Sequence, residues 1–288
     1  MNPPTPSLPT VTLSDRTLVP ALGMGTWKMG EQRGQAKREI AALAHGVDLG
    51  MTLIDTAEMY GDGGAEKIVG QAIAGRRDEV FIVSKVYPHN AGARSAVAAC
   101  ERSLKRLATD RIDLYLLHWR GSIPLGETVV AFERLVAEGK ILRWGVSNFA
   151  VDDIDELLRL PEGPRCATNQ VLYNLTERGI EWRLLNRCRR HDIPIMAYSP
   201  VGQGALLKHR KLAALATSLS VKLLVTPAQL ALAWTLAQAQ VIAIPQSSNS
   251  AHISENRTAA NLKLDAATLA ALDAAFPPPA GPTRLATN

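Results

Sequence analysis

The sequence predicts an α/β fold: a closed (β/α)₈ TIM barrel with an N-terminal β-hairpin and extra C-terminal helices. Three observations carry this. Short apolar runs recur eight times along the 288 residues, segments with helical spacing lie between them, and the glycine fingerprint of a doubly wound dinucleotide fold is missing. Strict alternation of strand and helix implies parallel strands joined by crossovers. Eight such units favour a closed barrel over an open sheet, and barrels of this kind run to about 250 residues as one domain. Residues 1–288 are therefore expected to form a single domain, with 1–10 and 277–288 as flexible ends.

The elements are read in order. Val11 to Leu13 and Thr17 to Val19, around the polar turn Ser14-Asp15-Arg16, make the hairpin. The strand candidates are Leu22-Gly23-Met24, Thr52-Leu53-Ile54, Val80 to Val83, Asp113 to Leu117, Ile141 to Gly145, Ala167 to Gln170, Pro194 to Ala197 and Val241 to Ile244. Helical spacing marks Arg38 to Leu49, Ala65 to Ala74, Ala93 to Leu107, Glu127 to Ala137, Asp152 to Leu160, Ile180 to Arg190 and Pro227 to Ala237. Two helices fall outside the rhythm: Lys211 to Leu219, and Asp265 to Phe276, which stops at Pro277-Pro278-Pro279.

Composition narrows the function. A hydrophobic content of 47% and a charged content of 20% are those of a globular chain. The balance of 32 basic against 27 acidic residues gives +5, but the charges are scattered, so nucleic acid is not an expected partner. Cys100, Cys166 and Cys188 are far apart, which suggests neither a disulfide framework nor a zinc site, and no metal is expected. The start lacks the basic and apolar regions of a secretory signal. The apolar stretch from Val221 to Pro245 is broken by Thr226, Pro227, Gln229, Gln238 and Gln240, so no membrane span is expected. These readings together predict a cytoplasmic protein, monomeric or weakly oligomeric. Walker, His-Glu-x-x-His and Gly-x-Ser-x-Gly motifs are absent, which removes support for an ATPase, a zinc protease or a serine hydrolase.

Barrels of this kind carry their chemistry where strands end at the C-terminal mouth. Asp55 ends Thr52-Leu53-Ile54, Tyr60 follows in the next loop, Lys85 ends Phe81-Ile82-Val83-Ser84, and His118 ends Leu114 to Leu117. Taken singly, each has a structural alternative: helix cap, loop packer, solvated strand end and rim histidine. Taken together they suit carbonyl reduction. Tyr60 would be a proton donor whose pKa of about 10 is brought down by Lys85, with Lys85 anchored by Asp55. His118 would orient the substrate oxygen. No side chain donates hydride, so a nicotinamide is required. Trp27, Met59, Tyr87 and Trp119 would form an apolar collar around a small carbonyl substrate, their alternative being ordinary packing of the mouth.

These residues sit in segments that resemble the aldo-keto reductase family from the hairpin to about Leu264. The segments are Gly25-Thr26-Trp27, Ile54 to Gly61, Ser84-Lys85, Leu117-His118-Trp119, Gly145 to Phe149, Asn169-Gln170, Tyr198-Ser199-Pro200 and Ile244-Pro245. Within the family the sequence is similar to the bacterial branch that includes methylglyoxal and aldehyde reductases. The resemblance implies a barrel that binds NADP(H) without a Rossmann domain. It implies that Gly25, Thr26, Trp27 and Asp55 border the cofactor, that Ser147, Asn148 and Gln170 bond the nicotinamide amide, and that Tyr198 stacks on its ring. Ser199, Pro200, Gly202 and Gln203 would pass the pyrophosphate, with Glu255 and Asn256 at the adenine.

One departure concerns the adenosine 2′-phosphate. Family members that grip it carry Lys after Ile-Pro and Arg on the following helix; here Gln246 and His252 stand instead. Ser247 and Ser248 remain as phosphate partners at a helix N-terminus. No acid lies between Ile244 and Ser254, so NADP(H) is favoured and NAD(H) stays open. Two rival functions follow from the same residues. One is a redox-sensing regulatory barrel with little turnover, as in potassium-channel β-subunits. The other is a Schiff-base aldolase using Lys85.

Overall fold

Residues 7–223 and 225–288 are described by a computed structural model, with side chains of 220–223 left aside. The hairpin is β1 (Thr10–Thr12) and β2 (Leu18–Pro20), antiparallel with Val11 opposite Val19. Eight parallel strands follow: β3 (Met24–Gly25), β4 (Leu53–Asp55), β5 (Phe81–Val86), β6 (Leu114–Leu117), β7 (Trp144–Ser147), β8 (Asn169–Leu172), β9 (Ile195–Tyr198) and β10 (Val241–Ile244), each paired with its neighbour in sequence. The sheet closes. Leu22 bridges Ala243 and Gly25 bridges Gln246 in parallel, with the Gly23 and Gly25 amides donating to the Ala243 and Pro245 carbonyls, each at 2.9 Å.

Strand alternation sorts the side chains into layers. Leu53, Val83, Leu114, Leu116, Met196, Ile242 and Ile244 pack in one buried cluster together with Val11, Leu13, Val19 and Ala21 of the hairpin region. The hairpin therefore plugs the N-terminal end of the barrel. Ile54, Ile82, Tyr115, Leu117, Val146 and Ile195 join a second cluster that faces the helices. Two residues beyond Leu53, Val83 and Leu116 on the inward face come Asp55, Lys85 and His118, so the same periodicity that builds the core delivers these polar groups to the mouth.

The helices are α1 (Ala36–Asp48), α2 (Gly64–Ala72), α3 (Ser95–Leu107), α4 (Leu125–Ala137), α5 (Val151–Leu158), α6 (Leu184–Arg189), α7 (Arg210–Leu223), α8 (Pro227–Leu236), α9 (Ser250–Ala259) and α10 (Ala266–Ala275). α8 starts on a capping box: the Thr226 hydroxyl accepts from the Gln229 amide, and the Gln229 side chain accepts from the Thr226 amide. α9 is not marked by apolar spacing, although the family resemblance places His252 on a helix there. It offers few large apolar residues, Ile253 being buried in the core, and polar contacts add to its hold, with Arg257 donating to the Leu49 carbonyl and His45 meeting the Ser254 hydroxyl at 2.8 Å.

Three expected strands are displaced. Leu22 makes only a bridge to Ala243 before the first barrel strand begins at Met24, Ile141 makes only a bridge to Ile112 before the fifth begins at Trp144, and the sixth begins at Asn169 instead of Ala167. At the C-terminal end, residues 277–288 carry no helix or strand. Leu285 nevertheless packs against the core, and the Asn288 side-chain amide donates to the Ser199 hydroxyl at 2.8 Å. The expectation of a flexible N-terminal end falls mainly on residues 1–6, outside the described residues.

Candidate active site

The loop after β3 and the loop after β4 cross at two glycines. Gly30 has φ 73°, and a Cβ there would lie 2.3 Å from the Gly64 carbonyl carbon, so only the missing side chain allows the approach. This crossing brings Trp27 and the Met59–Tyr60 turn to the same rim. Behind it, Glu66 on α2 is fully buried, accepting from the Ser84 hydroxyl at 2.6 Å and from Arg106 at 2.5 Å, which ties α2 to β5 and α3.

Lys85 lies at the centre and is inaccessible to solvent. Its ammonium donates to Asp55 Oδ2 at 2.8 Å, to the Thr56 carbonyl at 2.8 Å and to the Tyr60 hydroxyl oxygen at 3.2 Å. Those three acceptors match its three donors. Asp55 uses its other oxygen to accept from Gln170 Nε2 at 2.7 Å. The Tyr60 ring meets His118 edge-on with centroids 5.7 Å apart. Asp55, Tyr60, Lys85 and His118 are thus one connected group. The structural alternatives for two of them fall away: α2 is preceded by Gly63, so Asp55 is not its cap, and Lys85 is not solvated.

The electrostatics follow from burial and from this one cation. Burial works against the Lys85 ammonium, yet Asp55 and Tyr60 outweigh it and lift its pKa above the ordinary lysine value. Burial pushes the Asp55 carboxyl up, opposed by the Lys85 charge and by bonds from Lys85 and Gln170. The Tyr60 phenol corrects an expectation. Burial raises its pKa by more than Lys85 lowers it, so the net direction is upward. His118 is held well below the ordinary imidazole range by burial first and the Lys85 charge second, which makes it a neutral ring. Its Nδ1 is buried without a hydrogen-bond partner among the described residues.

On the opposite side of the mouth, Ser147, Asn148, Gln170 and Tyr198 converge. Asn148, in a left-handed conformation at φ 58°, donates to the His118 carbonyl at 3.1 Å and accepts from the Tyr198 hydroxyl at 2.9 Å. It does not cap α5; Asp153 does, accepting from the Ala150 amide at 2.8 Å. The chain then turns through Ser199, Pro200, Gly202 and Gln203, with φ of 50°, 58° and 52° at Ser199, Gly202 and Gln203. Beyond lies a cavity of about 210 Å³ lined by Val201, Thr226, Pro227, Gln246, Ser247, His252, Glu255 and Asn256, among others. Ser248 lies in the same loop as Gln246 and Ser247, half-buried. The groove therefore offers amide and hydroxyl groups, a ring, a tight backbone turn and a polar cavity in the order that a dinucleotide presents its parts, and the residues fit that ligand.

Gly25 and Thr26 close the floor beside Asp55, whose carbonyl accepts from the Thr26 amide at 3.0 Å and hydroxyl at 2.9 Å. At the rim, Trp119 is 37% exposed and packs edge-on to Tyr87 at 5.9 Å, and Lys28 lies over the Trp27 ring. Met59 is half-buried in the turn that carries Tyr60. Sequence reasoning assigned no role to Glu58. Its buried carboxylate accepts from the Tyr87 amide at 2.8 Å and from Asn90 at 3.1 Å, fixing the turn that carries Tyr87. It also missed Val201 and Thr226 at the cavity, although the Thr-Pro-x-Gln helix start is readable in the sequence.

This chain, a barrel with a buried lysine group at its mouth and a polar groove beside it, belongs to the aldo/keto reductase family, whose profile matches residues 21–276. The chain is thereby an NADP-dependent carbonyl-reducing oxidoreductase by class. Among its relatives is methylglyoxal reductase YeaE of Escherichia coli (strain K12), 51% identical over 96% of this chain and 97% of that protein. Glyoxal reductase of Bacillus subtilis (strain 168) is 35% identical over 94% of each. A crystal structure of an aldo-keto reductase from Klebsiella pneumoniae in complex with NADPH is 50% identical and superposes with a TM-score of 0.94, covering 98% of this chain and 100% of that one. Among the described residues no helix is long and apolar enough to cross a membrane.

Proposed function

We propose that this chain, as a single barrel domain, reduces small aldehydes, ketones and α-dicarbonyls to alcohols, with Tyr60 as general acid. The observation that carries the reading is the Lys85 ammonium, bonded at once to the Asp55 carboxylate and the Tyr60 hydroxyl oxygen. NADP(H), held by Ser147, Asn148, Gln170, Tyr198, the turn from Ser199 to Gln203 and the loop from Gln246 to Ser248, supplies the hydride when bound.

The side chains perform the rest. Lys85 donates to the phenol oxygen, which leaves the Tyr60 O–H free to give its proton to the substrate oxygen, and the same cation stabilises the phenolate left behind. Asp55 keeps Lys85 charged and in place. His118, neutral at physiological pH, hydrogen-bonds the carbonyl oxygen and aligns it with the phenol. Trp27, Met59, Tyr87 and Trp119 surround the carbonyl with apolar surface and exclude water. The strap after β6 is short and pinned, with Arg120 donating to the Gly121 and Ile123 carbonyls and pairing with Glu156. An open mouth of this kind favours small substrates of varied shape, and the methylglyoxal and glyoxal reductases among the relatives support α-dicarbonyls in particular.

The buried thiols of Cys100, Cys166 and Cys188, each pushed up to about 12 by burial, suit a reducing compartment. A cytoplasmic enzyme, monomeric or weakly associated and without a nucleic-acid partner, is the corresponding proposal. The test is an NADPH-oxidation screen across aldehydes, ketones, sugars and α-dicarbonyls. Turnover of small carbonyls is expected; tight NADPH binding with no turnover of any of them would instead mark a regulatory barrel.

A further inference from the structure

The loop that begins α9 poses a problem of charge. Resting on the NADP(H) reading above, the groove must accommodate a 2′-phosphate, yet Gln246 is uncharged and His252 carries an imidazole in place of a permanently charged group. Hydroxyls and helix amides alone compensate a dianion poorly. A cation does reach this loop, from an element far away in sequence. Arg38 on α1 donates its Nε–H to the Ser248 carbonyl at 2.9 Å.

Three features make Arg38 fit to serve a ligand. It is exposed on the solvent side of α1. Its terminal guanidinium nitrogens make no hydrogen bond or ion pair among the described residues, so the planar fork remains available for an oxyanion. The helix that carries it is fixed against α9, because the two are held together by the His45–Ser254 contact at 2.8 Å and by Ile253 packed into the shared core. The loop itself is free of acids from Pro245 to Ser254. Glu255, the first acid beyond it, accepts a hydrogen bond from the Thr226 hydroxyl.

We propose that Arg38 supplies the cation for the 2′-phosphate of NADP(H), in place of a basic residue at position 246. The guanidinium approaches from the α1 side while Ser247, Ser248 and the α9 amides approach from the loop. Arg38 is then a determinant of cofactor choice on an element that carries none of the recognised motifs.

The test is equilibrium binding, independent of turnover. Tryptophan-fluorescence titrations with NADPH, NADH, 2′,5′-ADP and 5′-AMP compare the parent with Arg38→Met, at low and high salt. Losing one charge-assisted contact to phosphate is expected to weaken NADPH and 2′,5′-ADP by roughly tenfold while NADH and 5′-AMP barely change. The salt dependence of NADPH binding should fall as well. Because Arg38 is exposed, the variant should melt like the parent. Equal losses for ligands with and without the 2′-phosphate, or no loss at all, would overturn the proposal while leaving the reductase reading intact. Failure of the parent to bind either dinucleotide would remove both.

Discussion

Lys85→Met removes the one group on which the site's other charges depend. The methionine fills similar space, but Asp55 Oδ2 and the Thr56 carbonyl lose their bond from the ammonium, and the Asp55 carboxylate keeps only Gln170. Removing one partner of a fully buried pair costs about 3–5 kcal/mol. At roughly 2 °C per kcal/mol for a chain of this size, the melting temperature should fall by about 6–10 °C. Catalysis suffers separately, because the phenolate of Tyr60 would have no adjacent cation; a rate loss of about 10²-fold or more is expected. Lys85→Met with Asp55→Asn separates the two effects. Removing both charges should restore much of the stability, since an uncharged pair has no desolvation to offset, without restoring turnover. Thermal melts and NADPH-oxidation rates on the three proteins decide the matter. A single variant that melts and turns over like the parent would refute the buried pair. A double variant that regains rate along with stability would reduce Lys85 to a structural part.

Tyr60→Phe should lower turnover by roughly 10²–10⁴-fold with little change in NADPH affinity, because the proton donor is lost and the groove is untouched; retained turnover would end its assignment as general acid. Carbonyl reduction should be flat from about pH 6 to 8, since Tyr60 is shifted upward and stays protonated while His118 is shifted downward and stays neutral; an inflection of kcat near the ordinary imidazole pKa would contradict the burial of His118. Folding stability has its own signature, because the unfolded imidazole takes up a proton near pH ~6.5 that the folded one refuses; stability is full above that value and falls as pH drops below it, and denaturant midpoints across this range measure the slope, a His118→Asn variant being expected to flatten it. Gln246→Lys should tighten NADPH by about tenfold while leaving NADH nearly unchanged; fluorescence titrations in which both affinities move together would show that residue 246 does not face the 2′-phosphate.

The parts of this molecule that were legible in sequence are those fixed by strand period. Asp55, Lys85 and His118 each end an apolar run, and two-residue alternation carries all three inward above Leu53, Val83 and Leu116. Strand boundaries were less legible. Ile141 is buried against neighbouring elements while Leu142 beside it is exposed, and pairing within the barrel starts only at Trp144, because hydrophobicity does not report which backbone a residue bonds. α9 left no signal in apolar spacing for the opposite reason and was legible only through the family resemblance: Arg257, Ser254 and the Asn249 cap help to anchor it, contacts that leave no apolar stripe. The direction of the Tyr60 shift was also out of reach, since the sequence names the nearby cation but not the degree of burial that outweighs it.

Contacts across the barrel explain why the candidate site exceeds the sum of its motifs. Gln170 is grouped with the cofactor residues by resemblance, yet here its amide bonds Asp55 at 2.7 Å, joining the groove to the charge network 115 residues away. Asn148 likewise spans Tyr198 and the His118 carbonyl. A ligand amide that drew on Gln170 and Asn148 would therefore meet side chains already bonded to Asp55 and to the His118 carbonyl. Cofactor binding and the setting of the acid would then be linked through shared side chains. These links exist because the barrel brings the ends of β4, β6, β7, β8 and β9 into one ring. The short motifs specify the chemistry of each position, and closure of the sheet specifies which of them bond one another.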